Sequence, residues 1–187
     1  MKNLSLSLLL LCSITMTISG QGTRKLFIGI LPDITREIKD NDDNVFNINV
    51  LPVAAQFYVN EFAAIRLGSI LNLQSDTRSI SNVGGQLGIP VYPLGKHPGA
   101  VNGLYAAPVF GFNHNKFTTA NEITLALEPG YSWVLNKGFS MNLGLQLGGT
   151  YFTSNDSSRG WRNHTGVKFS LGYTFRSKYT ALQKSAS

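Results

Sequence analysis

Cysteine is almost absent from this chain of 187 residues. The single copy, Cys12, lies in an apolar run over residues 4–18 that follows Lys2. A basic residue, an apolar run and then small residues are the layout of a secretory signal, which we predict over residues 1–20. The run is shorter than the roughly 20 residues that a transmembrane helix needs. The mature chain is therefore expected to contain no disulfide.

Long apolar runs are also missing after this segment, and so is any apolar stripe of helical period and length. Positive charge is thinly spread: 16 Lys and Arg against 10 Asp and Glu give a net charge of +6. Proteins that bind nucleic acid cluster these residues on one face, and no such stripe occurs here. We therefore expect no nucleic-acid partner.

The polar face of one alternating segment lacks charge altogether. Over residues 139–152, large apolar side chains alternate with Ser, Asn, Gly, Gln and Thr, and residues 62–75 and 164–176 repeat the scheme with few charges. A polar face in bulk water is expected to carry Lys and Glu for solubility. Small neutral side chains suit a narrow, crowded interior instead, whereas large aliphatic side chains suit lipid. The pattern predicts strands that line an interior with one face and meet lipid with the other.

Alternation of period two predicts eight strands in all. They cover residues 24–31, 45–60, 62–75, 81–94, 102–114, 120–135, 139–153 and 164–176. Most are longer than the roughly 9–11 residues with which a tilted strand crosses a bilayer. An open sheet edge in hydrocarbon leaves amide groups unpaired, so the sheet must close. The predicted fold is an all-β, antiparallel, up-and-down transmembrane β-barrel over residues 21–176, with a disordered tail over 177–187.

Two of these strands fit the alternation less well. The apolar parity of residues 45–60 changes along the strand, which predicts a bulge near Pro52, where a missing amide is best tolerated. Both parities of residues 102–114 are apolar, so the facing of that strand stays open.

The predicted connections alternate in length. Those beginning at Val59, Lys96 and Asn136 are short, whereas the others are mostly longer and more polar, over residues 32–44, 75–81, 115–119 and 154–163. Aromatic residues flank both sets, as in the two aromatic girdles of membrane barrels. Beside the short turns and the chain end these are Phe57, Tyr58, Phe62, Trp133, Phe139, Tyr173 and Phe175; beside the long loops they are Phe46, Phe110, Phe112, Phe117, Tyr151, Phe152 and Trp161.

These features resemble the small outer-membrane β-barrel proteins of Gram-negative bacteria, the OmpA-transmembrane, OmpX and OmpW-like group. The closing stretch GVKFSLGYTF (166–175) and the hairpin LPVAAQFYVNEFAAIRLG (51–68) carry the resemblance, and Gln21 after Gly20 is similar to signal cleavage in Bacteroidetes exports. In that group a terminal aromatic commonly ends the chain, whereas here a polar tail follows Phe175.

The resemblance implies a monomer in the bacterial outer membrane, without a cofactor. Its implied partners are outer-membrane lipid, lipopolysaccharide and the barrel-assembly machinery. A non-enzymatic role in the envelope, structural or through surface contact by the external loops, is the function that we expect first.

Four charged residues fall on the inward parity of their strands: Arg66, Glu122, Glu128 and Lys168. Buried carboxylates need partners in a low-dielectric interior. We predict an ion-pair network that plugs the interior, in which Glu128 pairs with Arg66 or Lys168. The alternative is a narrow, porin-like path for a small hydrophobic or ionic solute, lined by Tyr58, Gln86 and Gln146.

A lipid-modifying enzyme is the third hypothesis, since some eight-stranded barrels transfer or remove acyl groups. Acyl transfer requires a nucleophile, a histidine base and an orienting acid. His114 with Glu122, or His164 with Ser157 and Ser158, supplies only fragments of such a set, and we interpret both histidines as loop or rim residues.

One acidic segment resembles the opening of a calcium loop, with Asp40, Asp42 and Asn44 at alternate positions. Val45 stands where that loop requires Gly, and Leu51 where it requires Glu. A solvated acidic loop is the favoured interpretation, and the weaker one is a divalent-ion site that bridges lipopolysaccharide phosphates.

Overall fold

The computed structural model describes residues 25–38, 44–60, 62–75, 78–93, 103–135, 138–154 and 159–176. These residues form ten strands in one antiparallel sheet: β1 (Lys25–Ile30), β2 (Asp33–Ile38), β3 (Asn44–Asn49), β4 (Val53–Tyr58), β5 (Ala64–Gln74), β6 (Ser79–Gly88), β7 (Gly103–Asn115), β8 (Ala120–Val134), β9 (Phe139–Thr153) and β10 (Arg159–Arg176). Within the described ranges, no helix has the length and apolar character to cross a membrane. The predicted signal segment and the predicted C-terminal tail lie outside these ranges.

The sheet closes on itself as a ring of eight strands. Paired neighbours lead from β1 through β4, β5, β6, β7, β8 and β9 to β10, and β10 pairs again with β1. The strands β2 and β3 occupy the same two ring positions as β1 and β4, because β2 pairs with β10 and β3 pairs with β5. The all-β, antiparallel fold that the sequence predicted is confirmed, with two of the eight ring positions each filled by two short strands.

The register of the ring is staggered. A path that starts at Arg162 and crosses only paired residues returns to β10 at Gly172, ten residues further along the chain. On the way it passes Thr150, Thr124, Gly111, Gln86, Gly68, Ala54 and Gly29. With about 3.3 Å per residue along a strand and about 4.8 Å between strands, this stagger tilts the strands by about 40° to the ring axis. An eight-stranded ring at this tilt has an interior that side chains can fill.

Polar side chains face the inside of the ring, and large apolar side chains face the outside. On β9, Leu143, Leu145 and Leu147 are 44–48% exposed, whereas Asn142 and Gln146 are at most 4% exposed. Among the described residues, buried polar and charged side chains outnumber buried apolar ones. This is the reverse of the distribution in a soluble globular domain, where fully buried residues are mostly apolar.

The structure explains the two predicted strands, 45–60 and 102–114, that fitted the alternation less well. On β7, Tyr105 and Val109 point inward and Phe110 points outward, so the alternation predicted for the other strands extends to this one. In the second ring position the inward parity changes between Asn49 on β3 and Ala54 on β4. The strand is interrupted there, which agrees with the irregularity predicted at Pro52.

Two loops that the sequence predicted are partly strand. The predicted loop 32–44 contains β2, and β10 begins at Arg159, within the predicted loop 154–163. β1 ends before Pro32, but the chain stays in the same ring position, because the Pro32 carbonyl accepts a hydrogen bond of 3.0 Å from the Phe169 amide and Asp33 continues the inward parity of Leu31. The strand predicted over 81–94 is shorter than expected, since β6 ends at Gly88.

The charged interior as a candidate functional site

Glu128 lies fully buried in the interior and receives three hydrogen bonds. Arg66 Nη2 donates to its Oε1 at 2.5 Å, and the Tyr105 hydroxyl donates to the same oxygen at 2.8 Å. Gln146 Nε2 donates to the other oxygen at 2.8 Å. Arg66 is one of the two partners that the sequence predicted for this carboxylate. Because β5 and β8 are three ring positions apart, the ion pair crosses the interior.

Two glycines make room for this ion pair. A Cβ on Gly130 would lie 2.4 Å from the Tyr105 ring, and a Cβ on Gly144 would lie 2.7 Å from the Tyr105 hydroxyl and 2.8 Å from Glu128 Oε1. Contacts this short do not occur between real side chains, so the ring and the carboxylate occupy space that only glycine leaves open.

A compact cluster packs beside the ion pair. Its buried members are Ala64, Tyr92, Tyr105, Ala107 and Val109. Tyr58 packs against this cluster, and Gln56 Nε2 donates to the Tyr92 hydroxyl at 3.1 Å. The Arg66 guanidinium lies 5.8 Å from the centre of the Tyr105 ring. Tyr58, which was predicted to line a path for solute, is one of the partly buried residues that pack against this cluster.

Glu122 forms a second group, in which asparagines take most of the hydrogen-bonding positions. Asn113 Nδ2 donates to one carboxylate oxygen at 2.6 Å, and Asn82 Nδ2 lies 3.3 Å from the same oxygen. Asn115 Nδ2 lies 3.3 Å from the other oxygen, and Arg162 Nη1 lies 3.8 Å from it. Glu122 is thus held largely by neutral donors.

Lys168 forms a third group. Its Nζ lies 3.6 Å from Asp33 Oδ2 and donates to Gln86 Oε1 on β6, on the other side of the ring. Asn49 Nδ2 lies 3.5 Å from Asp33 Oδ2. The sequence interpretation missed Asp33 because it assigned residues 32–44 to a loop. The sequence did contain a signal for Asp33: it falls on the same alternate positions as Phe27, Gly29 and Leu31, which face inward.

The four charges predicted to form one network belong to three groups of direct contacts: Arg66 with Glu128, Arg162 with Glu122, and Lys168 with Asp33. Arg162 was missed for the same reason as Asp33, since it was assigned to the loop 154–163. Each group pairs one cation with one carboxylate, so the charges balance within each group.

The two histidines within the described residues lie in different surroundings. His114 faces outward on β7, and its Nδ1 lies 3.1 Å from Asn121 Oδ1; Glu122 faces inward, so the two are not brought together. His164 was interpreted as a loop or rim residue, which is wrong: it lies within β10 and is 7% exposed. Its Nε2 lies 3.1 Å from Gln146 Oε1. Ser157 and Ser158 lie outside the described residues.

The weak metal site of the sequence analysis falls mostly outside the described residues. Asp40 and Asp42 are not among them, and Asn44 begins β3. In the part of the chain that the structure describes, no group of three or more His, Cys, Asp or Glu side chains is arranged to hold a metal ion.

A scan against protein-family models finds no match, and a search of the curated proteins finds no significant match either.

Proposed function

We propose that this chain is an eight-stranded β-barrel that spans the outer membrane of a Gram-negative bacterium of the Bacteroidetes type. Its role is non-enzymatic: it contributes to the envelope, structurally or through surface contacts of its external loops. The observation that carries the proposal is the reversed burial of side chains, with aliphatic residues outside a closed ring and charged residues inside it. A closed ring in a membrane is stable with this arrangement, because its outward aliphatic side chains contact hydrocarbon while its inward charged side chains pair with one another.

The height of the apolar surface supports a membrane location. On β9, twelve residues separate Phe139 from Tyr151, and the exposed leucines Leu143, Leu145 and Leu147 lie between them. Twelve residues span about 40 Å along a strand, and a tilt of about 40° reduces this to about 30 Å along the axis. This height matches the roughly 30 Å hydrocarbon thickness of a bilayer.

Outward aromatic pairs lie near both ends of this surface. Tyr131 and Trp133 have ring centres 4.6 Å apart near the end of β8. Near the opposite end of the ring, Tyr151 and Trp161 have ring centres 5.4 Å apart. Aromatic rings of this kind favour the two boundaries between lipid and water. The pairs therefore support the two girdles that the sequence predicted.

The filled interior supports a structural role over a pore. The Arg66–Glu128 pair and the Lys168–Gln86 hydrogen bond both cross the ring. Contacts that cross the ring take up space along its axis, and satisfied buried polar groups make a structure more rigid. The enzymatic alternative has less support, because the described residues place no hydroxyl within hydrogen-bond distance of His114 or His164.

The proposed partners follow from the proposed location. Outer-membrane lipid surrounds the apolar surface, lipopolysaccharide meets the outer rim, and the barrel-assembly machinery inserts the exported chain. We propose a monomer, because the described strands close into a ring and offer no long sheet edge that a second copy would have to cover. We also propose that the chain works without a cofactor.

Two experiments test the proposal. Membrane-extracted protein is run on a gel with and without heating, and a folded barrel is expected to migrate differently from the heated chain. The same preparation is then added to a planar bilayer, in which a plugged barrel is expected to give no steady single-channel current. Unchanged gel mobility would contradict the barrel, and a steady current would favour the pore.

A further inference from the structure

A break in the wall of the ring lies between β3 and β4. Residues 50–52 connect these two strands within one ring position, and we call them the wall break. The neighbouring ring position changes strand at the same level, because Pro32 lies between β1 and β2 and the Leu31 amide donates to the Pro52 carbonyl at 2.5 Å. Pro32 and Pro52 have no amide hydrogen, so neither can donate to a neighbouring strand.

The wall break lies at the level of the outward aliphatic side chains. The Pro32 carbonyl beside it accepts a hydrogen bond from the Phe169 amide, and Phe169 pairs with Leu143 on β9. Val50 and Leu51 of the break itself are 45% and 51% exposed. At the membrane location proposed above, this level is hydrocarbon, where an unpaired backbone amide is costly. The edge of β5 that faces the break therefore needs partners other than a continuous strand.

The Asn49 side chain takes the place of a peptide group of the missing strand. Its Oδ1 accepts from the Leu71 amide at 3.1 Å, and its Nδ2 donates to the Ser69 carbonyl at 2.8 Å. Both of these β5 groups lie on one edge, because backbone groups two residues apart point the same way in a strand. Asn49 Oδ1 also accepts from the Leu51 amide at 3.2 Å, so the same side chain holds the break itself.

The Ser69 hydroxyl holds the break from the outer side. Ser69 lies on the outward parity of β5, between Leu67 and Leu71. The Val53 amide donates to its Oγ at 3.0 Å, and the hydroxyl donates to the Leu51 carbonyl. A hydroxyl in apolar surroundings is unfavourable unless it is hydrogen-bonded. These two bonds satisfy the hydroxyl and fix the chain on both sides of Pro52.

Asn49 also has a neighbour in the interior, since its Nδ2 lies 3.5 Å from Asp33 Oδ2. A side chain that served mainly to bind Asp33 would have its shortest contact there. The three contacts of Asn49 with backbone groups are shorter, at 2.8–3.2 Å, and lie in the usual range for hydrogen bonds. The backbone of the wall is therefore the main partner of this side chain.

We propose that the wall break is the place where the ring opens locally, and that Asn49 and Ser69 hold it closed. Strands of only six residues flank the break, and side chains supply part of its hydrogen bonds. Segments with few backbone ladder bonds open more readily than continuous strands. This inference goes beyond the proposed role in the envelope. The cost of an open break rests on the proposed membrane location, which the gel experiment above tests separately.

Amide hydrogen exchange, followed by nuclear magnetic resonance on the full chain refolded in detergent micelles, tests the proposal. The amides of Leu51 and Leu71 are compared with that of Leu125, which pairs on both sides with Phe110 and Gly149. The Leu51 and Leu71 amides are expected to exchange more slowly than in a free peptide and faster than the Leu125 amide. Exchange as fast as in a free peptide would overturn the closing bonds, and exchange as slow as at Leu125 would overturn the local opening.

A matched pair of asparagine variants tests the role of Asn49. Asn47 and Asn49 are both inward residues of β3, 2% and 3% exposed, but Asn47 contacts the Ser81 hydroxyl at 3.4 Å and not the wall break. Asn49→Leu is expected to speed the exchange of the Leu51 and Leu71 amides by about tenfold, because each loses a hydrogen bond. Asn47→Leu is expected to leave both rates unchanged. Equal rates in the two variants would contradict the proposal.

A second pair of variants covers the case in which Asn49→Leu does not fold. Ser69→Ala removes the outward hydroxyl and is expected to speed the exchange of the Val53 amide by a smaller factor, because that amide also lies 2.9 Å from the Leu51 carbonyl oxygen. Ser69→Thr keeps a hydroxyl and is expected to keep the rate of the unsubstituted protein. An unchanged Val53 rate in Ser69→Ala, or an equal increase in both variants, would contradict the role of this hydroxyl.

Discussion

Two buried ion pairs in the same interior are satisfied to different degrees. Glu128 takes up three direct donors, from Arg66, Tyr105 and Gln146, and the glycines beneath it leave no spare space. Lys168 lies 3.6 Å from Asp33, and both line a cavity of about 40 Å³. One pair is locked by direct contacts, and the other lies beside room for water.

The difference shows how a narrow ring fills its interior. Direct pairing of buried charges requires good geometry and further hydrogen bonds for the remaining lone pairs. The Arg66–Glu128 pair meets that requirement because Tyr105 and Gln146 reach the same carboxylate. Lys168 and Asp33 meet it less fully, and water has room to supply the rest. We therefore expect the two pairs to respond differently when one partner is removed.

Arg66→Met is expected to have the largest effect. It leaves the Glu128 charge buried without a cation and is expected to lower the free energy of unfolding by about 3–5 kcal/mol. The measurement is urea unfolding of protein refolded in lipid vesicles, followed by tryptophan fluorescence. Arg159→Met, at an exposed arginine, is the control and is expected to change stability by about 0.5 kcal/mol or less.

A double variant sharpens this result. Arg66→Met combined with Glu128→Gln removes both charges, so it is expected to be less destabilised than Arg66→Met alone. A loss of under about 1 kcal/mol for the single variant would indicate that water reaches Glu128, and the contrast between the two pairs would fail.

Lys168→Met is expected to have a smaller effect. Asp33 keeps Asn49 at 3.5 Å and already lines a cavity of about 40 Å³, so the expected loss of unfolding free energy is about 1–3 kcal/mol. The same urea titration measures it. A loss as large as that of Arg66→Met would mean that the Asp33 site is as dry as the Glu128 site.

Gly144→Ala is expected to have the smallest effect of the three, about 1 kcal/mol, at the low end of the range for overpacking. The three atoms nearest the added Cβ are the Tyr105 hydroxyl oxygen and Glu128 Oε1 and Cγ, which belong to side chains and not to the backbone. Gly85→Ala is its control, because a Cβ there has one neighbour, the Gly68 carbonyl oxygen at 3.5 Å. Equal stability of the two variants in urea would contradict the close packing around Glu128.

Continuous strands were predictable from the sequence almost to the residue. The prediction for β9 has the same bounds as the structure, and that for β8 differs by one residue, because an uninterrupted alternation of apolar and small polar side chains marks both ends. The inward parity of Arg66, Glu122, Glu128 and Lys168 followed from the same alternation.

Interrupted strands were less predictable. Pro32 and the charged residues after it were interpreted as a loop, and so were Gly160 and the arginines around Trp161. In this ring, however, inward charges belong to strands as much as to loops, so local composition does not separate the two. Asp33 and Arg162 were misplaced for this reason.

For the pairing across the interior, the sequence predicted that Glu128 pairs with Arg66 or Lys168, but not which of the two. Which cation reaches Glu128 depends on the stagger of ten residues around the ring, and the sequence does not encode that stagger in any local pattern. The path from Arg162 to Gly172 crosses all eight ring positions, so an error of one residue in any pairing changes which side chains meet.

The central claim is that the outward aliphatic side chains contact hydrocarbon. A nitroxide attached to Leu145→Cys, in a chain without residues 1–20 and hence without Cys12, measures this directly in a bilayer. High collision with oxygen and low collision with a water-soluble nickel chelate are the expected results, and the same label on Thr118→Cys, in an exposed turn, is expected to give the reverse. A Leu145 label that meets the nickel chelate as readily as the Thr118 label, or that meets neither reagent, would contradict the account.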